Sequence, residues 1–157
     1  MDERTQRVSD ALRALGLDVG MLVVEDSTHT AEMAAAAARC ELGQIVKTLA
    51  IYVAGVPRLA LVAGDRRLND RSVADHFGVG RKQVKLASAG QVLEMTGYEI
   101  GGVSPFGLPS PIETLIDESF GRFATVWVAA GTASAIFPID LSDLVRTADA
   151  TFAAIAT

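Results

Sequence analysis

Cysteine is almost missing from this chain. Cys40 is the single example among 157 residues, so neither an intramolecular disulfide nor a thiolate metal cluster can form. Set in an alanine-rich stretch, it reads as a small buried side chain before a reactive thiol. Histidine is nearly as scarce: His29 and His76 are the only two, 47 positions apart. That spacing suits neither a zinc site nor a histidine-based triad, and no metal or other cofactor is expected. Long apolar runs are lacking too. Apolar runs such as Ala34–Ala38 and Thr48–Ala54 are far short of the ~20 residues a membrane span needs. The first residues, Met1-Asp-Glu-Arg-Thr-Gln-Arg, carry charge where a signal peptide would be apolar, so a cytoplasmic protein with no membrane partner is expected.

What is present suits one compact domain over 1–157. Half the residues are apolar and 21% are charged, an ordinary globular balance with no sign of disorder. The net charge of −5 argues at first against a nucleic-acid partner, yet the charge is unevenly spread. Between Arg39 and Lys85 stand nine basic and four acidic residues, a local +5; the rest of the chain carries −10. Such a segment either forms a phosphate-facing patch in an otherwise acidic protein or is a solvated surface with scattered arginines.

Hydrophobic spacing predicts a helix over residues 3–15 and a short strand at Met21–Val24. Thr30 caps a helix through about Arg39, broken by Gly43. Ile45–Val53 and Leu59–Ala63 read as strands of a hairpin joined through Ala54-Gly55-Val56-Pro57. Asp70–Phe77 reads as a helix and Val84–Leu86 as a strand. Ser88 and Gln91 form a capping box for a helix reaching Met95. Residues 97–111, with four glycines and three prolines, can only be a shaped loop. Two strands follow at Phe123–Ala129 and Ala135–Ile139, then a helix capped by Asp140 or Ser142, with the tail from Asp149 to Ile155 read as helical. Without a regular βαβ rhythm, the expectation is an α/β (α+β) fold with a mixed sheet.

Two segments stand out chemically. In Gln44-Ile-Val-Lys-Thr-Leu-Ala-Ile, strand alternation puts Lys47 on one face with Ile45, Leu49 and Ile51. An ammonium among aliphatics is costly unless it is paired, opens into a cleft holding an anion, or snorkels to water. In Thr96-Gly-Tyr-Glu-Ile-Gly-Gly-Val-Ser-Pro-Phe-Gly, Gly101 and Gly102 permit close backbone approach, so the loop either presents amide donors to an ester carbonyl or is a structural turn. It is neither a P-loop nor a dinucleotide fingerprint. The acidic pairs Asp117-Glu118 and Asp140 with Asp143 are candidates for metal or acid–base work, the latter also explicable by the helix dipole.

The two segments, together with Ala130-Gly131 ahead of a final helix, resemble the YbaK and prolyl-tRNA synthetase editing family in order and spacing, over roughly residues 20–157. The resemblance implies a mixed sheet of six or seven strands flanked by helices. It implies hydrolysis, in trans, of the ester joining a wrong amino acid to the 3′ end of tRNA, often tRNA(Pro), with prolyl-tRNA synthetase a possible partner. By the same resemblance Lys47 contacts the terminal adenosine's phosphate or holds the aminoacyl end. Gly101 and Gly102 position the ester carbonyl, and Thr48, Ser104, Ala129 and Gly131 line the substrate site. Arg66, Arg67, Arg81 and Lys82 are the tRNA-contact candidates. Neither a protein nucleophile nor a metal is implied. One departure touches specificity: where the cysteine-specific deacylases carry a serine and an aspartate, this chain has Ala129 and Ile136. Two readings compete with the deacylase, a non-catalytic tRNA- or synthetase-binding module and an esterase for small aminoacyl esters.

Overall fold

The computed structural model describes residues 1–24 and 30–157; His29 lies outside them. The chain runs α1 (Glu3–Ala14), β1 (Leu22–Val23), α2 (Ala31–Ala38), β2 (Val46–Val53), β3 (Val56–Ala63), α3 (Asp70–Phe77), β4 (Val84–Leu86), α4 (Ala89–Thr96), β5 (Glu113–Asp117), β6 (Thr125–Ala129), β7 (Ala135–Asp140), α5 (Leu141–Thr147) and β8 (Ala150–Ala153). The mixed α/β expectation holds, with the strands divided between two sheets. Five lie in the order β4-β2-β3-β5-β8 and three in the order β1-β7-β6. A parallel bridge between Ile45 and Trp127 joins them.

Local signals explain most element ends. Asp2 accepts from Arg4 N (2.8 Å) at the start of α1, and Thr30 accepts from Met33 N (3.1 Å) at the start of α2. Ser88 and Gln91 cap α4 reciprocally, which satisfies amides that a helix start otherwise leaves open. The end of α2 differs from expectation: Arg39, at φ 55°, takes the left-handed position itself, four residues before Gly43. The β2–β3 hairpin is also tighter than expected. Val53 pairs with Val56, and Ala54 (φ 50°) and Gly55 (φ 79°) alone make the turn, the two-residue geometry that matches strand twist.

Two strands went unread in the sequence. β5 pairs in parallel with β3. The tail, expected to be helical, is β8, which pairs in parallel with β5. Asp117 holds this corner together. Its buried carboxylate accepts from Ile155 N and Ala156 N through one oxygen (3.0 Å each) and from Ser119 N through the other (3.1 Å). It is therefore spent on backbone donors. Asp143 is likewise engaged, by Arg146 at 2.9 Å, while Asp140 stands at the N-terminus of α5 without a side-chain cap.

Alternation along β3 divides the core. Leu59, Leu61 and Ala63 pack with Val8, Leu12, Tyr98, Phe120 and Phe137 on one side; Ala60 and Val62 pack with Ile51, Val53, Val73, Leu115 and Ile155 on the other. The period of two makes one strand serve both faces. None of the described helices is long and apolar enough to cross a membrane.

Candidate active site

The bond from Gly64 N to Ile45 O (2.8 Å) puts the odd-numbered residues of β2 in hydrogen-bonded register with β3. The even-numbered residues turn their peptide groups the other way, as Ala50 O does toward Ala87 N (3.0 Å) and Ala54 N toward Gln83 O (2.9 Å). On that side β4 covers Ile51–Val53, and Trp127 meets Ile45. Between the two, the peptide groups of Thr48 face a gap in the sheet with no strand beside them.

That gap is a cleft of about 370 Å³, within the range of ligand sites. The open edge of β2 forms its floor, and Thr30, Ala31 and Ala34 of α2 form one side. Leu86, Ala87 and Val92, then Ile100, Gly101 and Val103, and from β6 and β7 Trp127, Ala129 and Ile136 complete the lining.

Of the residues anticipated from sequence, Lys47, Thr48, Gly101 and Ala129 line this cleft. The Lys47 ammonium donates to the Arg66 carbonyl. Burial pushes its pKa down, opposed by the nearby Glu32 carboxylate and reinforced by Arg67. Arg66 thus meets the amine through its backbone, its guanidinium lying 3.8 Å from Asp65. Arg81 is tied to Asp70 at 3.0 Å, and Lys82 is exposed in the short 3-10 turn Arg81–Gln83. Thr48 Oγ1 is covered and has no protein partner. Cys40 is half-buried against the cluster containing Ile45 and Ile136, and burial pushes its thiol up.

Gly102, Ser104 and Gly131 stand behind the wall instead of on it. Gly102 N donates to Glu99 O (3.0 Å), so that amide is committed to the loop's own turn and Gly101 is the glycine that faces the cleft. A Cβ on Gly102 would come within 2.7 Å of Thr132 Cα and 2.9 Å of Gly131 C; its hydrogen side chain is what lets the loop rest on the 131–132 backbone. Ser104 is fully buried and accepts from Phe106 N at 3.4 Å. Sequence reasoning missed the walls from α2 and α4 and the flanks Ile100, Val103 and Trp127, because alanine, valine and isoleucine carry the same signal in a cleft wall as in a core.

Tyr98 anchors the glycine loop. Its buried hydroxyl donates to the Phe106 carbonyl, and the Arg7 guanidinium lies 5.7 Å from the ring centre. Burial pushes this phenol up to about 12, with Arg7 acting in the opposite sense. A folded pKa above the ordinary 10 means the contribution is fully present below pH 10 and is lost as the pH rises through 12. Across that window the wild-type melting temperature should fall more steeply than that of Tyr98→Phe. Parallel melting curves for the two proteins check this, because the lysines that titrate there are common to both.

The domain thus carries an apolar cleft at an open strand edge, with Lys47 and Gly101 among its lining residues. The chain belongs to the aminoacyl-tRNA editing domain family, whose model matches residues 25–147. It is similar to the uncharacterized protein YwhH of Bacillus subtilis (strain 168), 35% identical over 121 residues, 76% of this chain and 75% of YwhH. It is also similar to a proline–tRNA ligase of Maridesulfovibrio salexigens, 36% identical over 107 residues. Those residues are 68% of this chain but only 18% of the ligase. A crystal structure described as that of "a putative trans-editing enzyme for prolyl tRNA synthetase" matches with a TM-score of 0.93 at 32% identity, covering 100% of this chain and 99% of that one.

Proposed function

We propose that the protein is an aminoacyl-tRNA deacylase that acts in trans on mischarged tRNA, with tRNA(Pro) as the substrate body. The observation that carries this reading is that Lys47 and Gly101 line one cleft. The likeness to a proline–tRNA ligase and to a structure described as a trans-editing enzyme supports the choice of tRNA and makes prolyl-tRNA synthetase a candidate partner.

The attacking group is assigned to water. Water adds to the ester carbonyl carbon. The resulting oxyanion is held by the Gly101 amide and the Lys47 ammonium, and the bond to the 3′ oxygen then breaks. The leaving oxygen takes the proton that the water gave up, and free amino acid and tRNA result. The catalytic power is placement and preorganised charge.

The test is release of amino acid from tRNA(Pro) charged in turn with alanine, cysteine, serine, threonine and valine. Release from at least one, absent from a simple aminoacyl methyl ester, supports the reading. Salt-sensitive tRNA binding with every ester intact would make the protein a binding module instead. Equal turnover of the small ester would make it a general esterase.

A further inference from the structure

We infer that α1 aligns the reacting ester by bracing the glycine loop, with Arg7 and Arg4 as its positioning residues; the inference rests on the deacylase reading. Gly101 reaches the cleft from a loop that does little to hold itself. Glu99, Ile100 and Gly101 are exposed, and the turn they make is closed by the single bond from Gly102 N to Glu99 O. The place of Gly101 is therefore set by what lies against the loop.

Arg7 lies against both of its ends. Gly97 (φ 78°) and Gly107 (φ 72°) are left-handed, and each lacks a Cβ where Arg7 passes. A Cβ on Gly97 would come within 2.7 Å of Arg7 Nη1, and one on Gly107 within 3.1 Å of its Cγ and 3.3 Å of its Cδ. The same guanidinium is 5.7 Å from the ring centre of Tyr98, within cation–π range. One turn earlier, Arg4 Nη1 stands 3.8 Å from Glu99 Oε2. Arg4 and Arg7, three residues apart, are neighbours on the surface of α1. Beside them Thr5 Oγ1 donates to Ala130 O at 2.7 Å, next to the 131–132 backbone on which Gly102 rests. One helix thus touches both backbones that fix Gly101.

These contacts suit alignment more than stability. Arg7 is exposed, and the Arg4 and Glu99 side chains are 37% and 76% exposed. Ion pairs between such groups add little to a fold. Displacing a reacting group by about 1 Å, by contrast, costs about a hundredfold in rate. Loss of Arg7 should therefore show in turnover, not in melting.

The test uses whichever of the five mischarged tRNA(Pro) species the unmodified protein hydrolyses. Arg7→Ala should lower kcat by about tenfold to a hundredfold and leave KM within about twofold. Its melting temperature should stay within about 3 °C of wild type. Arg7→Lys, which keeps the stem and a cation, should recover most of the rate. Gln6→Ala is the control: Gln6 is exposed on α1 and bonded to Asp10 at 2.8 Å, and its loss should leave kcat unchanged. Hydrogen exchange reads the brace without turnover. In Arg7→Ala the amides of residues 97–103 should exchange at least about tenfold faster, with those of β2 and β3 unchanged. Unaltered exchange in the loop would overturn the inference whatever the turnover. So would a folded Arg7→Ala that hydrolyses at the wild-type rate, or a loss of rate that Gln6→Ala shares. Faster loop exchange in a protein that cleaves none of the five esters would remove the deacylase reading and keep α1 as the brace of a binding cleft.

Discussion

Lys47→Ala lowers kcat/KM for release of the amino acid by about a hundredfold to a thousandfold, the range found when one preorganised donor to a developing oxyanion is removed. The expectation follows from where the ammonium sits. Its strand places it on the lip of the cleft with Arg67 nearby, in surroundings whose burial already disfavours its charge. A cation that the protein holds against that penalty is poised to gain when a negative oxygen forms beside it. The fold should survive, because Lys47 is only partly buried and the Arg66 carbonyl it serves lies near solvent, where water replaces the amine. Single-turnover hydrolysis of mischarged tRNA alongside a melting curve separates the two effects. A folded variant that hydrolyses at the wild-type rate would remove the amine from the mechanism, and a loss confined to KM would move it from the oxyanion to tRNA binding.

How far the sequence discloses all this depends on which physical signal each residue carries. The run Val46–Val53 is dense in β-branched and aliphatic residues, so the strand and the placement of Lys47 with Leu49 and Ile51 were legible. The tail Ala150-Thr-Phe-Ala was not, because alanine favours helix locally while pairing with β5 decides the outcome. β5 itself shows only Leu115 and Ile116 between polar residues after a proline-rich loop, too short a pattern to declare a strand. Around the site, the lysine strand and the glycine loop announced themselves because charge among aliphatics and paired glycines each require an explanation. A motif does not say which atom faces the ligand, however. Gly101 and Gly102 are adjacent, yet one faces the cleft and the other donates its amide to Glu99 and presses on the 131–132 backbone. The α2 and α4 walls gave no warning, since an alanine or valine beside a cleft differs from one in a core only by what is absent opposite it.

Gly131→Ala should cost the fold about 2–6 kcal/mol, from left-handed strain of about 1–3 kcal/mol and overpacking of about 1–3 kcal/mol. Gly131 has φ 89°, and a Cβ there would meet the Arg4 carbonyl carbon and oxygen at 2.8 Å. Both obstacles are backbone, so neither can rotate away. The contact matters because α1 docks at this point. Thr5 Oγ1 donates to Ala130 O at 2.7 Å in a buried bond, and Val8 and Leu12 follow it into the core. Pushing α1 outward therefore strips a hydrogen bond and two aliphatic side chains together. For a domain near this size each kcal/mol moves the melting temperature by roughly 2–4 °C, so a fall of about 10 °C is expected. Gly55→Ala supplies the control, because Gly55 has φ 79° in the hairpin turn but nothing within 4 Å of its Cβ position, leaving conformational strain alone. Gly131→Ala should melt well below it, and melting within about 2 °C of it would show that the α1 contact carries no load. Because the 131–132 backbone also supports Gly102 behind the ledge, Gly131→Ala should lose deacylation at temperatures where it is still folded, whereas Gly55→Ala should keep it.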